Sequence, residues 1–169
     1  MTLAIRPATP ADLPALHPVI ERAYRGESAR LGWTHEADLI IEGERTDLAT
    51  LQGIVADPQS RLLVALYGGA VIGCVHVQAK GDGLAYLGLL CIEPTLQANG
   101  LGRQLVDAAE TTARDILGCA EIEMTVIDRR SELLAWYERR GYARTGEQRD
   151  FPIELDPPLF MAVLAKPLV

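Results

Sequence analysis

Leu90-Cys91-Ile92-Glu93-Pro94-Thr95-Leu96-Gln97-Ala98-Asn99-Gly100-Leu101-Gly102 carries the chain from an apolar run into an amphipathic one. Upstream, Leu84 to Ile92 is almost continuously apolar, which predicts a strand buried on both faces, and Pro94 ends it. Downstream, Leu105, Val106, Ala109, Ala113, Ile116 and Leu117 recur at helical spacing and predict a helix from Gly102 to Leu117, stopped by Gly118. Gln97-x-x-Gly100-x-Gly102 therefore falls where a helix begins. The first amides of a helix have no intrahelical partner, and the helix dipole puts partial positive charge there, so the turn suits a pyrophosphate. Glycines at 100 and 102 let the backbone approach a phosphate with no Cβ in the way, and Arg103 adds a charge. Taken alone, the same glycines suit a loop that merely turns the chain. A Gly-x-Gly-x-x-Gly dinucleotide fingerprint fails at Leu105, and the preceding strand comes late in the chain rather than first.

Working outward, Met1 to Arg6 reads as a short strand. Thr9 is expected to cap a helix whose first residue is Pro10 and whose apolar face is Leu13, Leu16, Val19, Ile20 and Ala23. Pro14 and Pro18 predict a kink or a short first piece. A second helix is expected from Thr46 to Ala56, stopped by Asp57-Pro58. Arg61–Tyr67 and Ala70–Gln78 read as a hairpin closed by Gly68-Gly69, and Gly81-Asp82-Gly83 turns the chain into the strand Leu84–Ile92. Past the central helix come a strand (Ala120–Ile127), a helix (Ser131–Arg140) opened by a capping residue and closed by Gly141, and strands near Tyr142–Gln148 and Leu159–Ala165. This order predicts mixed α and β elements on one central sheet.

At 169 residues the chain fits a single domain, 1–169, and can bury roughly 70% of its unfolded surface without a disulfide or metal. Its 49% hydrophobic and 23% charged residues are ordinary for a soluble protein. No apolar run approaches the ~20 residues that span a bilayer, and Met1 to Arg6 lacks the pattern of a signal peptide, so a cytoplasmic location and no membrane partner are expected. Sixteen basic against 23 acidic residues, net −7, disfavour nucleic acid as a partner and mildly favour a cationic one. Cys74, Cys91 and Cys119 are widely spaced in apolar stretches and read as buried reduced thiols. No Cys-x-x-Cys occurs, and His17, His35 and His76 pair with no ligand at a metal-binding spacing, so no metal is expected.

Leu90 to Gly102 resembles the acetyl-CoA motif of the GNAT superfamily of N-acetyltransferases, Gln/Arg-x-x-Gly-x-Gly/Ala after a strand ending near a proline. Glu132-Leu133-Leu134-Ala135-Trp136-Tyr137-Glu138-Arg139-Arg140-Gly141-Tyr142 resembles that family's second signature, a helix with a tyrosine shortly before Gly-Phe or Gly-Tyr. The element order agrees from Leu3 to Leu164. The resemblance implies an α/β (α+β) fold, a mixed, mostly antiparallel central sheet with helices on both faces, and acetyl-CoA as co-substrate. It implies that Leu90, Cys91 and Ile92 hold the pantetheine arm through their backbone, with an amide there polarising the thioester carbonyl. It places the pyrophosphate on Gln97, Ala98, Asn99, Gly100, Leu101, Gly102 and Arg103, and makes Tyr137 both a cofactor contact and the proton donor to the leaving thiolate. On spacing alone Tyr137 is better explained as core packing, because Leu133 and Leu134 share its helical face; the motif context reverses that reading. Ala98 stands where many relatives have glycine, and Arg130 where they often have asparagine.

The implied activity is N-acetyl transfer to a primary amine of a small molecule or peptide, by direct attack. An amine with a pKa of about 10.4 must lose a proton first. Some relatives carry a glutamate where this chain has Tyr86-Leu87-Gly88; Glu93 and Glu123 are the remaining candidates, and neither is singled out. Cys91 invites an acyl-enzyme, but a strand cysteine with no histidine near it in sequence is better explained as core. The acceptor cleft is expected between Tyr24–Arg45 and Phe151–Leu159. Glu27, Glu36, Asp38, Glu42 and Glu44 suit either a cationic amine or a solvated face, and Trp33 either stacks or packs. Alternatives are another acyl-CoA donor and a catalytically silent acyl-CoA-binding module; a histone-type enzyme is disfavoured by the absent mid-strand glutamate. Exposed C-terminal strands permit a homodimer.

Overall fold

The alternation of Leu3 and Ile5 is realised as β1 (Leu3–Pro7), the first strand of a computed structural model that describes residues 2–25, 44–97 and 99–169. The expected helix at Pro10 begins instead as a 3₁₀ turn, Pro10–Asp12, and α1 runs over Leu13–Tyr24. Thr9 is the N-cap of this start, as expected, and the Asp12 carboxylate completes a capping box by accepting from the Thr9 amide at 2.7 Å, while also accepting from Arg6 at 2.8 Å. Pro14 falls in the first turn of α1, where a missing N–H leaves nothing unsatisfied, while Pro18 lies inside the helix and removes one of its bonds. Asp47 caps α2 (Leu48–Ala56) by accepting from the Thr50 amide at 2.7 Å.

β2 (Ser60–Tyr67), β3 (Ala70–Gly81) and β4 (Leu84–Ile92) form the expected meander, with Gly68 and Gly69 at its first turn. Then follow α3 (Leu101–Asp115), β5 (Glu121–Ile127), α4 (Ser131–Glu138), β6 (Ala143–Asp150) and β7 (Phe160–Pro167). Ser131 is the first helical residue of α4 rather than its cap, which is Arg130. The sheet order is β1-β2-β3-β4-β5-β7-β6, and every neighbouring pair is antiparallel except β4–β5. The mixed, mostly antiparallel sheet with helices on both faces follows the expected architecture.

Two apolar layers clamp the sheet. On one face Leu105, Val106, Ala109 and Ala113 of α3 and Leu134 and Tyr137 of α4 pack on Leu63, Val75, Leu87, Ile122 and Met124. On the other, Leu13, Leu16 and Ile20 of α1 and Leu51 of α2 pack on Leu62, Val64 and Cys74. Each such leucine contributes on the order of 1.5–3 kcal/mol by leaving water, which explains why a chain of this size needs no crosslink. The cysteines are free and buried, as expected. β6 closes one edge of the sheet with a row of exposed side chains that includes Arg144, Glu147 and Asp150, a composition that opposes edge-to-edge pairing. Among the described residues no helix is long and apolar enough to cross a membrane.

β4 departs from the expectation of burial on both faces. Its buried positions alternate with half-buried ones, and the alternation changes face midway. Ala85 and Leu87 pack toward α3, yet beyond Gly88 it is Leu90 and Ile92 that do so, while Leu89 and Cys91 turn toward α1. A bulge does this: the β3–β4 register slips between Cys74 and His76, and Leu89 sits at φ 50°. Gly73 of β3 lies against the same region, where a Cβ would run into the Cys91 carbonyl oxygen.

Candidate functional site

Parallel pairing of β4 with β5 covers Leu84–Tyr86 against Glu121–Glu123 and then stops. Past that point the strands part, and Leu87 to Ile92 and Met124 to Ile127 become opposite walls of a cavity of about 520 Å³. The Tyr86 hydroxyl and Thr125 Oγ1, 2.8 Å apart, bridge the strands where they separate. The volume is within the range of small-molecule sites, and β4 no longer pairs with β5 there, although its Leu90 and Ile92 carbonyls accept from the Tyr24 and Gln97 side chains.

The turn after β4 forms one rim. Gln97 folds back so that its Nε2 donates to the Ile92 carbonyl at 3.1 Å, and Asn99 Nδ2 donates to the Leu96 carbonyl at 3.0 Å. These bonds fix the turn from within. Gly100 is the N-cap of α3 at φ 77°, a left-handed conformation that a side chain disfavours. The first helical bond runs from the Gln104 amide to the Gly100 carbonyl at 3.3 Å, which leaves the amides of Leu101, Gly102 and Arg103 at the open helix end. Gly102 faces Trp136, whose ring lies 3.7 Å from where a Cβ would sit. Trp136 in turn carries the Arg140 guanidinium over its face at 3.7 Å, and Arg140 Nη1 donates to the Trp136 carbonyl at 2.8 Å. Arg140 Nε is buried with no partner among the described residues. Burial, and then the charges of Arg139 and Arg103, hold the Arg140 guanidinium below its ordinary pKa. All three arginines border a side pocket next to the turn.

Tyr137 lines the cavity from α4 and is 5% exposed. Its ring is held edge-on by Trp136 and Tyr142, with centroids at 4.9 and 5.8 Å. Among the described residues its hydroxyl has no hydrogen-bond partner. Burial pushes the phenol well above the usual tyrosine range, partly offset by Arg130 and Arg140, so it stays protonated.

Of the residues singled out in the sequence, Leu90, Cys91, Ile92, Gln97, Gly100, Gly102, Arg103 and Tyr137 line this one cavity. Asn99 and Leu101 belong to the turn without lining the cavity, and Ala98 lies outside the described residues. Arg130 lines it too. Cys91 is 5% exposed, with its Sγ 3.7 Å from that of Cys74, whose thiol is raised by that contact and by burial; this is the expected core setting. Neither candidate base lines the cavity. Glu93 accepts from Arg22 through both oxygens, at 2.9 and 2.8 Å. Glu123 is 7% exposed and paired with Arg149 at 2.9 Å, so it does not face solvent as a lone strand carboxylate usually does.

The remaining wall is built by Tyr24, Arg25, Glu44, Arg45 and the segment Phe151–Ile153. Glu27, Trp33, Glu36, Asp38 and Glu42 lie outside the described residues. Sequence analysis missed Arg45 and Arg140. Arg140 sits four residues after Trp136, a spacing that brings a guanidinium over an aromatic ring on a helix and was the available signal. For Arg45 no local signal exists. Among the described residues no group of three His, Cys, Asp or Glu side chains is placed to hold a metal ion.

The fold is shared with solved acetyltransferases at low identity. The ribosomal-protein-S18-alanine N-acetyltransferase from Escherichia coli superposes with a TM-score of 0.76 at 18% identity, covering 99% of this chain and 94% of that one. The structure of yncA from Salmonella typhimurium, solved with its cofactor acetyl-CoA, gives 0.75 at 17% identity over 100% and 95%. The spermidine/spermine N-acetyltransferase SpeG from Vibrio cholerae gives 0.71 at 17% identity over 98% and 92%. No curated protein matches the sequence. The model of the acetyltransferase (GNAT) family matches residues 21–142, from α1 through the tyrosine-bearing helix, and the chain belongs to that family.

Proposed function

We propose that the protein transfers an acetyl group from acetyl-CoA to a primary amine by direct attack. The observation that carries this is Tyr137: a protonated phenol with no hydrogen-bond partner among the described residues, lining the same cavity as the open amides of α3. Three requirements of the reaction are met along that cavity. The pyrophosphate is held by the amides of Leu101, Gly102 and Arg103 at the helix end. The pantetheine arm lies along Leu90, Cys91 and Ile92, where β4 has left β5, and a backbone amide there polarises the thioester carbonyl. Tyr137 gives its proton to the departing thiolate. The acceptor enters from the side of Tyr24, Arg45 and Phe151, and its proton leaves through water, since neither Glu93 nor Glu123 reaches the cavity.

The test is release of free CoA thiol from acetyl-CoA with a panel of amino acids, polyamines, aminoglycosides and N-terminal peptides. Turnover on at least one acceptor is expected. Tight CoA binding with no turnover on any would favour a silent binding module.

Arg139 and Arg103 repel Arg140 beside the pyrophosphate turn, opposed in part by Asp107, and an anion relieves that repulsion. The 3′-phosphate of the donor supplies one. Arg140→Gln is therefore expected to raise KM for acetyl-CoA about tenfold, in line with one charge-assisted hydrogen bond, while leaving KM for 3′-dephospho-acetyl-CoA unchanged. An equal rise for both donors would show that Arg140 acts only by packing on Trp136.

A further inference from the structure

The acceptor wall of the cavity holds an arginine set up to receive an anion. The chain at Arg45 is anchored to α1: the Glu21 carboxylate accepts from the Arg45 amide at 2.7 Å and from the Thr46 amide at 3.1 Å, and His17 Nε2 lies 2.9 Å from the Thr46 carbonyl. From this fixed backbone the guanidinium lies over the Tyr24 ring, 4.9 Å from its centroid. The ring itself is pinned, because the Tyr24 hydroxyl donates to the Leu90 carbonyl at 2.8 Å, just past the β4 bulge. Arg45 is half-buried and lines the cavity, yet among the described residues its guanidinium pairs with no carboxylate. A second arginine, Arg25, lines the same wall and is 9% exposed, whereas the wall's one described carboxylate, Glu44, is exposed. Phe151, Ile153 and Met161 add apolar surface.

A guanidinium resting over an aromatic ring still presents its fork of N–H donors, and a carboxylate fits that fork with two parallel hydrogen bonds. A polycationic acceptor would meet repulsion there, strengthened by the low dielectric of a partly closed site. The same charge disfavours the ammonium form of a nearby amine, which helps to present a neutral nucleophile where neither Glu93 nor Glu123 lines the cavity. We propose that the acceptor is an amino-carboxylate, an α-amino acid or close analogue with an apolar side chain, and that Arg45 binds its carboxylate. This rests on the acetyl-transfer reading above, and it replaces the cationic amine suggested by net charge.

The experiment pairs acceptors that differ only in that carboxylate: free phenylalanine and leucine against phenylalaninamide and leucinamide, with spermidine as the polycation, all at saturating acetyl-CoA. The free acids are expected to exceed their amides at least tenfold in kcat/KM. Arg45→Met is expected to lower kcat/KM for the acids by about 10–100-fold, through KM, and to leave the amides within about twofold. Arg45→Lys, which keeps the charge and loses the fork, should fall between them. Amides or spermidine used as well as the acids, or an equal loss on both in Arg45→Met, would overturn the proposal. Should no acceptor turn over, calorimetry on the CoA-loaded protein gives the same contrast. Binding of phenylalanine but not its amide supports the carboxylate site while sinking the acetyl-transfer reading, and equal or absent binding of the two refutes the site.

Discussion

Tyr137→Phe is expected to lower kcat about 100-fold while the dissociation constant for CoA changes less than about threefold. The substitution removes one oxygen and keeps the ring, so the edge-on contacts with Trp136 and Tyr142 and the packing in the α4 layer survive. It orphans no partner, because the hydroxyl bonds to nothing among the described residues, and a stability loss beyond about 1 kcal/mol is not expected. General acids contribute about 10²–10⁴-fold, and the low end applies here because a thiolate with a pKa of about 8.5 departs more readily than an alkoxide. Burial keeps the phenol protonated above the usual tyrosine range, so the wild type should show no loss of kcat from this group as pH rises through 9 to 10. The measurement is thiol release at saturating acetyl-CoA beside calorimetric titration with CoA. Unchanged turnover in the variant would remove Tyr137 from the chemistry and leave it a core residue.

The sheet's elements were legible because their signals are local: Gly68-Gly69 between two β-rich runs, the α3 stripe from Leu105 to Ala113, and Gly118 and Gly141 at helix ends. The turn from Gln97 to Gly102 was legible for the same reason. The cavity was not. It exists because β4 and β5 separate after Tyr86, and the bond marking the separation joins Tyr86 to Thr125 across 39 positions. The bulge at Leu89 is hidden because every residue around it is apolar or glycine, so a change of face leaves no change in pattern. Glu123 illustrates the same limit: its partner, Arg149, arrives 26 residues later on β6, and nothing local marks it as buried. Arg45 owes its place to Glu21 and Tyr24 of α1, which fix its backbone and its guanidinium from more than twenty residues away.

Gly100→Val is expected to raise the dissociation constant for CoA about 10–100-fold with the fold retained. A Cβ at position 100 meets no atom within 4 Å, so the cost lies in the backbone rather than in a clash. At φ 77° and ψ 3° a β-branched side chain is strained by roughly 1–2 kcal/mol. The turn can relieve that strain by rotating Gly100 out of the left-handed region, but this re-aims the amides of Leu101, Gly102 and Arg103. Losing one well-directed amide bond to a phosphate costs about 1.5–3 kcal/mol, which corresponds to the expected loss of affinity. Thermal unfolding should fall by no more than about 4–8 °C, since strain of this size is small against the intact layers on either side of the sheet. Gly100→Asn separates the causes, because asparagine tolerates the left-handed conformation. It should bind CoA within about threefold of wild type if the conformation of residue 100 is what matters. An equally large loss in the asparagine variant would mean that any side chain there obstructs the ligand directly. Wild-type affinity in the valine variant would show that the α3 amides do not hold the pyrophosphate.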